Sequence, residues 1–116
     1  MTGNSDEYVD YILECLENIG DIQVGRMFGG TGLKQDNIQF AMLMGNSLFF
    51  VVDEKTRPKY EKRGMGCFWY TTKKGRVNVK KYYEVPAELF EEQDELLAWA
   101  KSAIDSARKL YRPKKA

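Results

Sequence analysis

The 116-residue sequence contains no histidine at all. Histidine is the usual general base at neutral pH and the commonest zinc ligand, so its absence argues against most acid–base catalysis and against a zinc site. Our expectation is a protein that is not an enzyme, and we assign it no catalytic residues, no metal site and no cofactor.

Cysteines and long apolar runs are scarce as well. Cys15 and Cys67 lie far apart and form no C-x-x-C pair, which argues against a disulfide framework or a thiol-redox motif and is typical of a reducing compartment. The longest apolar stretch, residues 40–52, is interrupted at Gly45 and is too short to span a bilayer. Acidic residues near the N-terminus stand where a signal peptide needs basic ones. These features predict a cytoplasmic protein without a membrane segment.

The net charge is nearly balanced at +1, but the charges are unevenly distributed. Residues 1–22 carry six acids and no base, residues 23–83 carry a net +8, and residues 84–116 carry a net −1. The overall balance by itself does not point to a polyanionic partner. The central segment nevertheless presents a basic surface unless the acidic N-terminal segment lies across it.

Hydrophobic periodicity divides the chain into a helix, three strands, a second helix, two strands and a last helix. The predicted elements are a helix capped by Ser5 or Asp6 and stopped by Gly20, strands 24–28, 38–44 and 48–52, a helix capped by Asp53 and ended by Gly64, strands 68–73 and 76–85, and a helix over 94–110. We expect Asp94 to cap the last helix and its apolar face to extend from Leu96 to Leu110. Turn residues at 45–47 and 74–75 predict that the strands beside them pair as two hairpins.

This element order predicts the fold class. Parallel pairing needs a long crossover, and only the middle helix supplies one. We therefore predict a single two-layer α+β domain over residues 1–116, with a mostly antiparallel five-stranded sheet, in the order α-β-β-β-α-β-β-α. Residues 112–116 are expected to form a basic tail.

Strands 40–44 and 48–52 are apolar on both of their alternating faces. A strand with one face in water should alternate between apolar and polar residues. Either helices cover both faces, or the second face meets another subunit, and we predict a homodimer on the second interpretation.

The run Gly29-Gly30-Thr31-Gly32 raises the question of a phosphate-binding loop. It lacks the Gly-Lys-Ser/Thr ending of a P-loop and the third glycine of a dinucleotide fingerprint, and no helix is predicted after it. A bulge or tight strand bend, where a side chain would clash, explains the glycines better. An anion site formed by this bend and Arg26, in a small-ligand-binding protein or an enzyme, is an alternative.

The second hairpin combines aromatic residues with a cluster of cations. Such a surface suits an acidic partner, either a protein or a nucleic acid whose bases stack on aromatic rings. Alternation places Val79 and Tyr83 on one face of strand 76–85, and Lys80 and Tyr82 on the other. The candidate partner-binding residues are Lys73, Lys74, Arg76, Lys80, Lys81 and Tyr82.

Two short motifs together resemble a known family. The first begins at Arg26 and reads Arg-Met-Phe-Gly-Gly-Thr-Gly-Leu, and the second, at residues 82–86, reads Tyr-Tyr-Glu-Val-Pro. The combination resembles the N-terminal domain of the TfoX/Sxy family of bacterial competence regulators, and the likeness extends over roughly residues 8–110. The motif residues that we expect to be structural are Arg26, Met27, Phe28, Gly29, Gly30 and Gly32.

The resemblance implies an α+β domain with a secretion-chaperone-like layout, and it offers no catalytic residues to transfer. Full-length relatives act as positive regulators of DNA-uptake genes, together with the cyclic-AMP receptor protein, and carry a second, C-terminal domain that we do not expect in this chain. We therefore expect a protein-binding regulatory module linked to competence genes, with a partner in the transcription machinery. A nucleic-acid-binding accessory protein that uses hairpin residues 73–81 is the first alternative.

Overall fold

A computed structural model describes residues 5–27 and 29–111. Phe28 and the predicted basic tail, residues 112–116, lie outside the described residues. The helices are α1 (Asp6–Cys15), α2 (Arg57–Lys62) and α3 (Gln93–Leu110), with short 3-10 turns at Glu17–Ile19 and Ala87–Glu91. The strands are β1 (Gln23–Met27), β2 (Gly30–Gln35), β3 (Ile38–Met44), β4 (Ser47–Val51), β5 (Cys67–Thr72) and β6 (Gly75–Glu84).

The strands form one sheet in the order β1-β2-β3-β4-β6-β5, in which every neighbouring pair is antiparallel. The predicted α+β class is confirmed. The sheet has six strands rather than five, because the glycine-rich run continues into β2. Glycine is unfavourable in strands and offers no side-chain alternation to detect, which is why the sequence predicted only a bend there.

Two-residue turns join the strands of the first half of the sheet. Asp36 and Asn37 between β2 and β3 have φ of 54° and 65°, and Gly45 and Asn46 between β3 and β4 have φ of 56° and 59°. A left-handed backbone at both central residues gives the turn whose twist matches paired strands, and Asn, Asp and Gly tolerate it best. Both predicted hairpins, β3–β4 and β5–β6, are confirmed.

The helix ends depart from the predicted bounds by a few residues. The Ser5 hydroxyl accepts the Tyr8 N–H at 3.1 Å and caps α1, as predicted. The helix ends at Cys15 and a 3-10 turn leads on to Gly20, at φ 104°. The middle helix starts only at Arg57, because the Asp53 carboxylate caps a separate turn in front of it.

The core lies between the sheet and the helices. The apolar stripe of α3 packs on β3 and β4, where Phe40 and Phe50 place their rings 6.4 Å apart. The last helix starts at Gln93, so Asp94 lies in its first turn rather than at the cap. The buried positions of α3 are Leu96, Trp99, Ala100, Ala103, Ile104, Ser106 and Ala107. Leu110, predicted to share this face, is exposed.

Within the described ranges, no helix has both the length and the apolar composition that a membrane crossing requires.

The second apolar face of β3 and β4 forms the floor of a cleft that the two ends of the sheet flank. Side chains from both ends of the sheet, Met27 on β1 and Phe68 on β5, line one cleft with Met42 and Met44 of β3. A six-stranded sheet brings its two ends to one cleft only if it curves around that cleft. Curvature therefore buries these strands on both sides without a helix on the second face. The homodimer stays a prediction.

Candidate functional site

The basic hairpin, residues 67–84 of β5 and β6, carries five exposed cations. They are Lys73, Lys74, Arg76, Lys80 and Lys81, all of them predicted partner-binding residues. Across residues 5–27 and 29–111, no carboxylate lies within ion-pair distance of any of the five. The positive charge of this hairpin is therefore not neutralised by the part of the chain that the structure describes.

An exposed aromatic ring lies against one of these cations. The Arg76 guanidinium carbon is 4.3 Å from the centroid of the Trp69 ring, and Arg76 Nε donates to the Asn78 side-chain oxygen at 2.8 Å. Trp69 pairs across the hairpin with Asn78 and is 48% exposed. We call Trp69, Arg76 and Asn78 the stacked face. Trp69 was not among the predicted site residues, although its cross-strand position relative to Arg76 follows from the predicted hairpin.

Tyr82, in contrast, does not belong to an exposed surface. It is 8% exposed, and its hydroxyl accepts a hydrogen bond from Gln39 Nε2 at 2.9 Å. The cause is an irregular register, in which Cys67 pairs with Tyr83 while the next residue, Phe68, pairs with Val79.

This irregularity overturns the predicted alternation of strand 76–85. Val79 and Tyr82 line the same cleft. Tyr83 instead donates to the Glu61 carboxylate of α2 at 2.9 Å, and its ring centroid lies 6.1 Å from that of Tyr60. Burial, followed by the bond to Glu61, raises the pKa of Tyr83. Tyr82 is therefore a wall residue of the cleft.

The glycine motif has a structural explanation. Gly29 has φ of 80° in the turn between β1 and β2, a conformation that residues with a Cβ rarely adopt. A Cβ on Gly30 would meet Met44 Sδ and the Leu43 carbonyl oxygen, and a Cβ on Gly32 would meet Gln39 Oε1 at 2.5 Å. These close approaches agree with the expectation that a side chain would clash here, although Gly30 and Gly32 lie in strand β2 rather than in a bend.

Arg26, offered above as part of an anion site, lies exposed in β1. It shares a shallow depression with Asp6 and Asp10 of α1. Two carboxylates beside a single guanidinium repel an anion, so this geometry does not favour phosphate binding. Gly30 and Gly32 belong to a strand paired on both sides, which engages their backbone in the sheet.

The cleft on the face opposite α3 has a volume of about 500 Å³. Its described lining is apolar and aromatic, and Gln39 bridges Met27 Sδ and the Tyr82 hydroxyl beside it. The lining residues are Met27, Met42, Met44, Phe68, Tyr70, Val79 and Tyr82. Nothing in the strand-by-strand sequence pattern indicated this cleft, because it exists only when the sheet is curved.

The sequence matches the family model of the TfoX N-terminal domain over residues 14–107. The chain belongs to the TfoX N-terminal domain family. No curated protein sequence matches it. The matched range of this TfoX N-terminal domain includes the glycine motif, the basic hairpin and all described residues of the cleft, so these features lie inside the family's own domain.

A polar cluster around Asp53 in the TfoX N-terminal domain joins α3 to the turn before α2. Asp53 accepts the N–H groups of Lys55 and Thr56, both at 2.9 Å, and the Ser106 hydroxyl at 3.0 Å. Lys109 Nζ lies 3.5 Å from the same carboxylate. Burial raises the pKa of Asp53, but the hydrogen bonds and the Lys109 charge outweigh it and hold that pKa at about 2. Ser106 is fully buried, so this cluster ties elements together rather than presenting a nucleophile.

Proposed function

We propose that this TfoX N-terminal domain is a regulatory module that binds an acidic protein through its basic hairpin, and that it is not an enzyme. The observation that carries the proposal is the stacked face, an exposed tryptophan under an arginine, beside lysines that no described carboxylate neutralises. Tryptophan and arginine are enriched among the residues that dominate binding energy at interfaces.

The cations and the exposed aromatic ring of the hairpin contribute differently to binding of an acidic partner. The cations raise the rate of encounter with an acidic surface and orient it. The ring of Trp69 then supplies apolar area that a partner can bury. Arg76 is already held over that ring and by Asn78, so less of its conformational freedom is lost on binding.

The family supports a link to competence regulation, and we propose that the acidic partner belongs to the transcription machinery. We also propose a cytoplasmic location. Both cysteines are free thiols, which supports a reducing compartment.

A nucleic acid is the second candidate partner, because a base can stack on Trp69 and phosphates can meet the lysines. The two partners respond differently to salt. If about four cations neutralise duplex phosphates, the logarithm of the affinity falls with the logarithm of salt concentration with a slope of about −3 to −4. A protein interface with a few rim charges gives a shallower slope.

The test is a pull-down from a lysate of the native host, treated with nuclease or left untreated. The bait variant carries Lys74→Gln, Arg76→Gln and Lys80→Gln, which removes charge and keeps polarity. We expect the parent to retain an acidic protein after nuclease treatment and the variant to lose it. Retention by both baits would contradict the proposal, and loss after nuclease treatment would favour a nucleic acid.

A matched control removes the same charge elsewhere on the surface. Lys55, Lys62 and Lys101 are exposed and lie outside the basic hairpin, and each is changed to Gln. This control should retain the partner as the parent does. Exposed charges contribute little to stability, so both triple variants should fold normally.

A further inference from the structure

The cleft behind the basic hairpin has the size and chemistry of a small-molecule site. We propose that it binds one compact, uncharged, largely apolar molecule that carries a hydrogen-bond acceptor. This inference does not depend on the protein-binding function proposed above, which uses the opposite face of the hairpin. A volume of about 500 Å³ lies within the roughly 300–1,000 Å³ of typical ligand pockets.

The depth of the cleft favours a small molecule over a protein surface. Met42 and Met44 in its floor are 2% and 5% exposed, whereas Tyr70 in its wall is 46% exposed, so the cleft opens to solvent above a recessed floor. A compact molecule can enter this opening between the two ends of the curved sheet, whereas a flat protein surface would contact mainly the exposed wall. Methionine side chains are flexible and polarisable, so three of them can adapt to the shape of the occupant.

The lining sets the charge of the occupant. None of the described lining residues carries a formal charge. Moving an ion from water into such surroundings without a partner is strongly unfavourable. An apolar, uncharged body instead gains from the burial of its own surface and from contact with the aromatic rings of Phe68 and Tyr70.

The Tyr82 hydroxyl determines which polar group the ligand should carry. Tyr82 accepts its bond from Gln39, so the hydroxyl keeps its own hydrogen for donation. Burial raises the pKa of Tyr82, against the smaller opposite effect of the Gln39 bond, and the hydroxyl stays protonated at neutral pH. The matching group on a ligand is a carbonyl or ether oxygen.

Methyl NMR of the full chain with ¹³C-labelled methionine tests the proposal without any substitution. Met27, Met42 and Met44 line the cleft, while Met65 lies outside its lining and serves as an internal control. The probe is 2-acetylnaphthalene, which is neutral and carries one carbonyl. We expect saturable shifts of the three cleft methyls and none of Met65. Unchanged cleft methyls, or equal shifts of Met65, would overturn the proposal.

Two further probes of similar size test the chemistry of the occupant. Lacking the acceptor, 2-ethylnaphthalene should bind about three- to tenfold more weakly than the ketone, which corresponds to one net hydrogen bond. Carrying a charge, 2-naphthoate should bind at least tenfold more weakly. Tighter binding of the naphthoate would overturn the assignment of an uncharged ligand.

The variant Tyr82→Phe locates the acceptor. It should abolish the preference for the ketone over the hydrocarbon, while Tyr11→Phe, an exposed tyrosine outside the cleft, should leave the preference unchanged. A preference that survives Tyr82→Phe in a protein with parental circular dichroism would contradict the role of this hydroxyl. If Tyr82→Phe does not fold, the methyl shifts of the parent with the three probes still decide the proposal.

Discussion

Replacing Gly30 by alanine tests how closely strands β2 and β3 approach each other. A Cβ at residue 30 would meet Met44 Sδ and, at 2.5 Å, the backbone oxygen of Leu43. The Met44 side chain is flexible near its sulfur and can move away. The carbonyl belongs to the paired strand β3 and must shift by about 0.5 Å to reach 3.0 Å, the distance below which real Cβ contacts essentially never occur.

The magnitude follows from two opposing effects. Overpacking a close-packed site costs about 1–3 kcal/mol. Alanine in place of glycine also stabilises by about 0.4–1 kcal/mol, because it restricts the unfolded chain. The central values, a cost of about 2 and a gain of about 0.7 kcal/mol, predict that Gly30→Ala lowers the free energy of unfolding by about 1.3 kcal/mol. With an m value of about 2 kcal/mol per M, the urea midpoint falls by about 0.5–1 M.

Gly25→Ala is the matched control for this measurement. Gly25 lies in the adjacent strand β1, pairs with Gly32, and offers open space to a Cβ. We expect the urea midpoint of this variant, followed by far-ultraviolet circular dichroism, to equal or slightly exceed that of the parent. Coincident melts of Gly30→Ala, Gly25→Ala and the parent would refute the close packing at Gly30 and would reopen a ligand role for the glycine motif.

Two further predictions concern acid stability and assembly. The folded pKa of Asp53, about 2, lies below its ordinary value of 3.8, so its stabilising contribution is complete above about pH 4 and is lost as the pH falls through about 2. That contribution is at most about 2 kcal/mol, since the Asp53 side chain is only 12% exposed while its partner Lys109 is largely in solvent. The free energy of unfolding, measured by urea melts between pH 5 and 2, should therefore fall more steeply with decreasing pH for the parent than for Asp53→Asn. Parallel pH dependences of the two proteins would contradict this. Light scattering at high micromolar concentration tests the predicted homodimer, and a mass near 13.4 kDa would contradict it.

Local signals predicted most of the architecture. The Gly45-Asn46 turn, the Ser5 cap and the apolar stripe of α3 each depend on residues close together in the chain, and these features are confirmed. They depend on backbone conformation and periodicity, which the sequence expresses directly.

The errors arose where the structure depends on distant residues. Strand β2 was missed because its glycines make room for Met44 and Gln39 of β3, a contact that no local pattern expresses. Tyr82 was assigned to the surface because regular alternation was assumed across the register shift between β5 and β6. The cleft could not be predicted either, because it depends on the curvature of the whole sheet and not on any one strand.

Binding of an acidic protein by the basic hairpin can be measured with the purified partner. The most direct measurement is a calorimetric titration of the purified partner into the parent, the hairpin variant with Lys74, Arg76 and Lys80 changed to Gln, and the control with Lys55, Lys62 and Lys101 changed to Gln. We expect the affinity to be at least tenfold weaker for the hairpin variant and within about twofold of the parent for the control. Equal affinity of the two folded triple variants would exclude the basic hairpin as the binding surface.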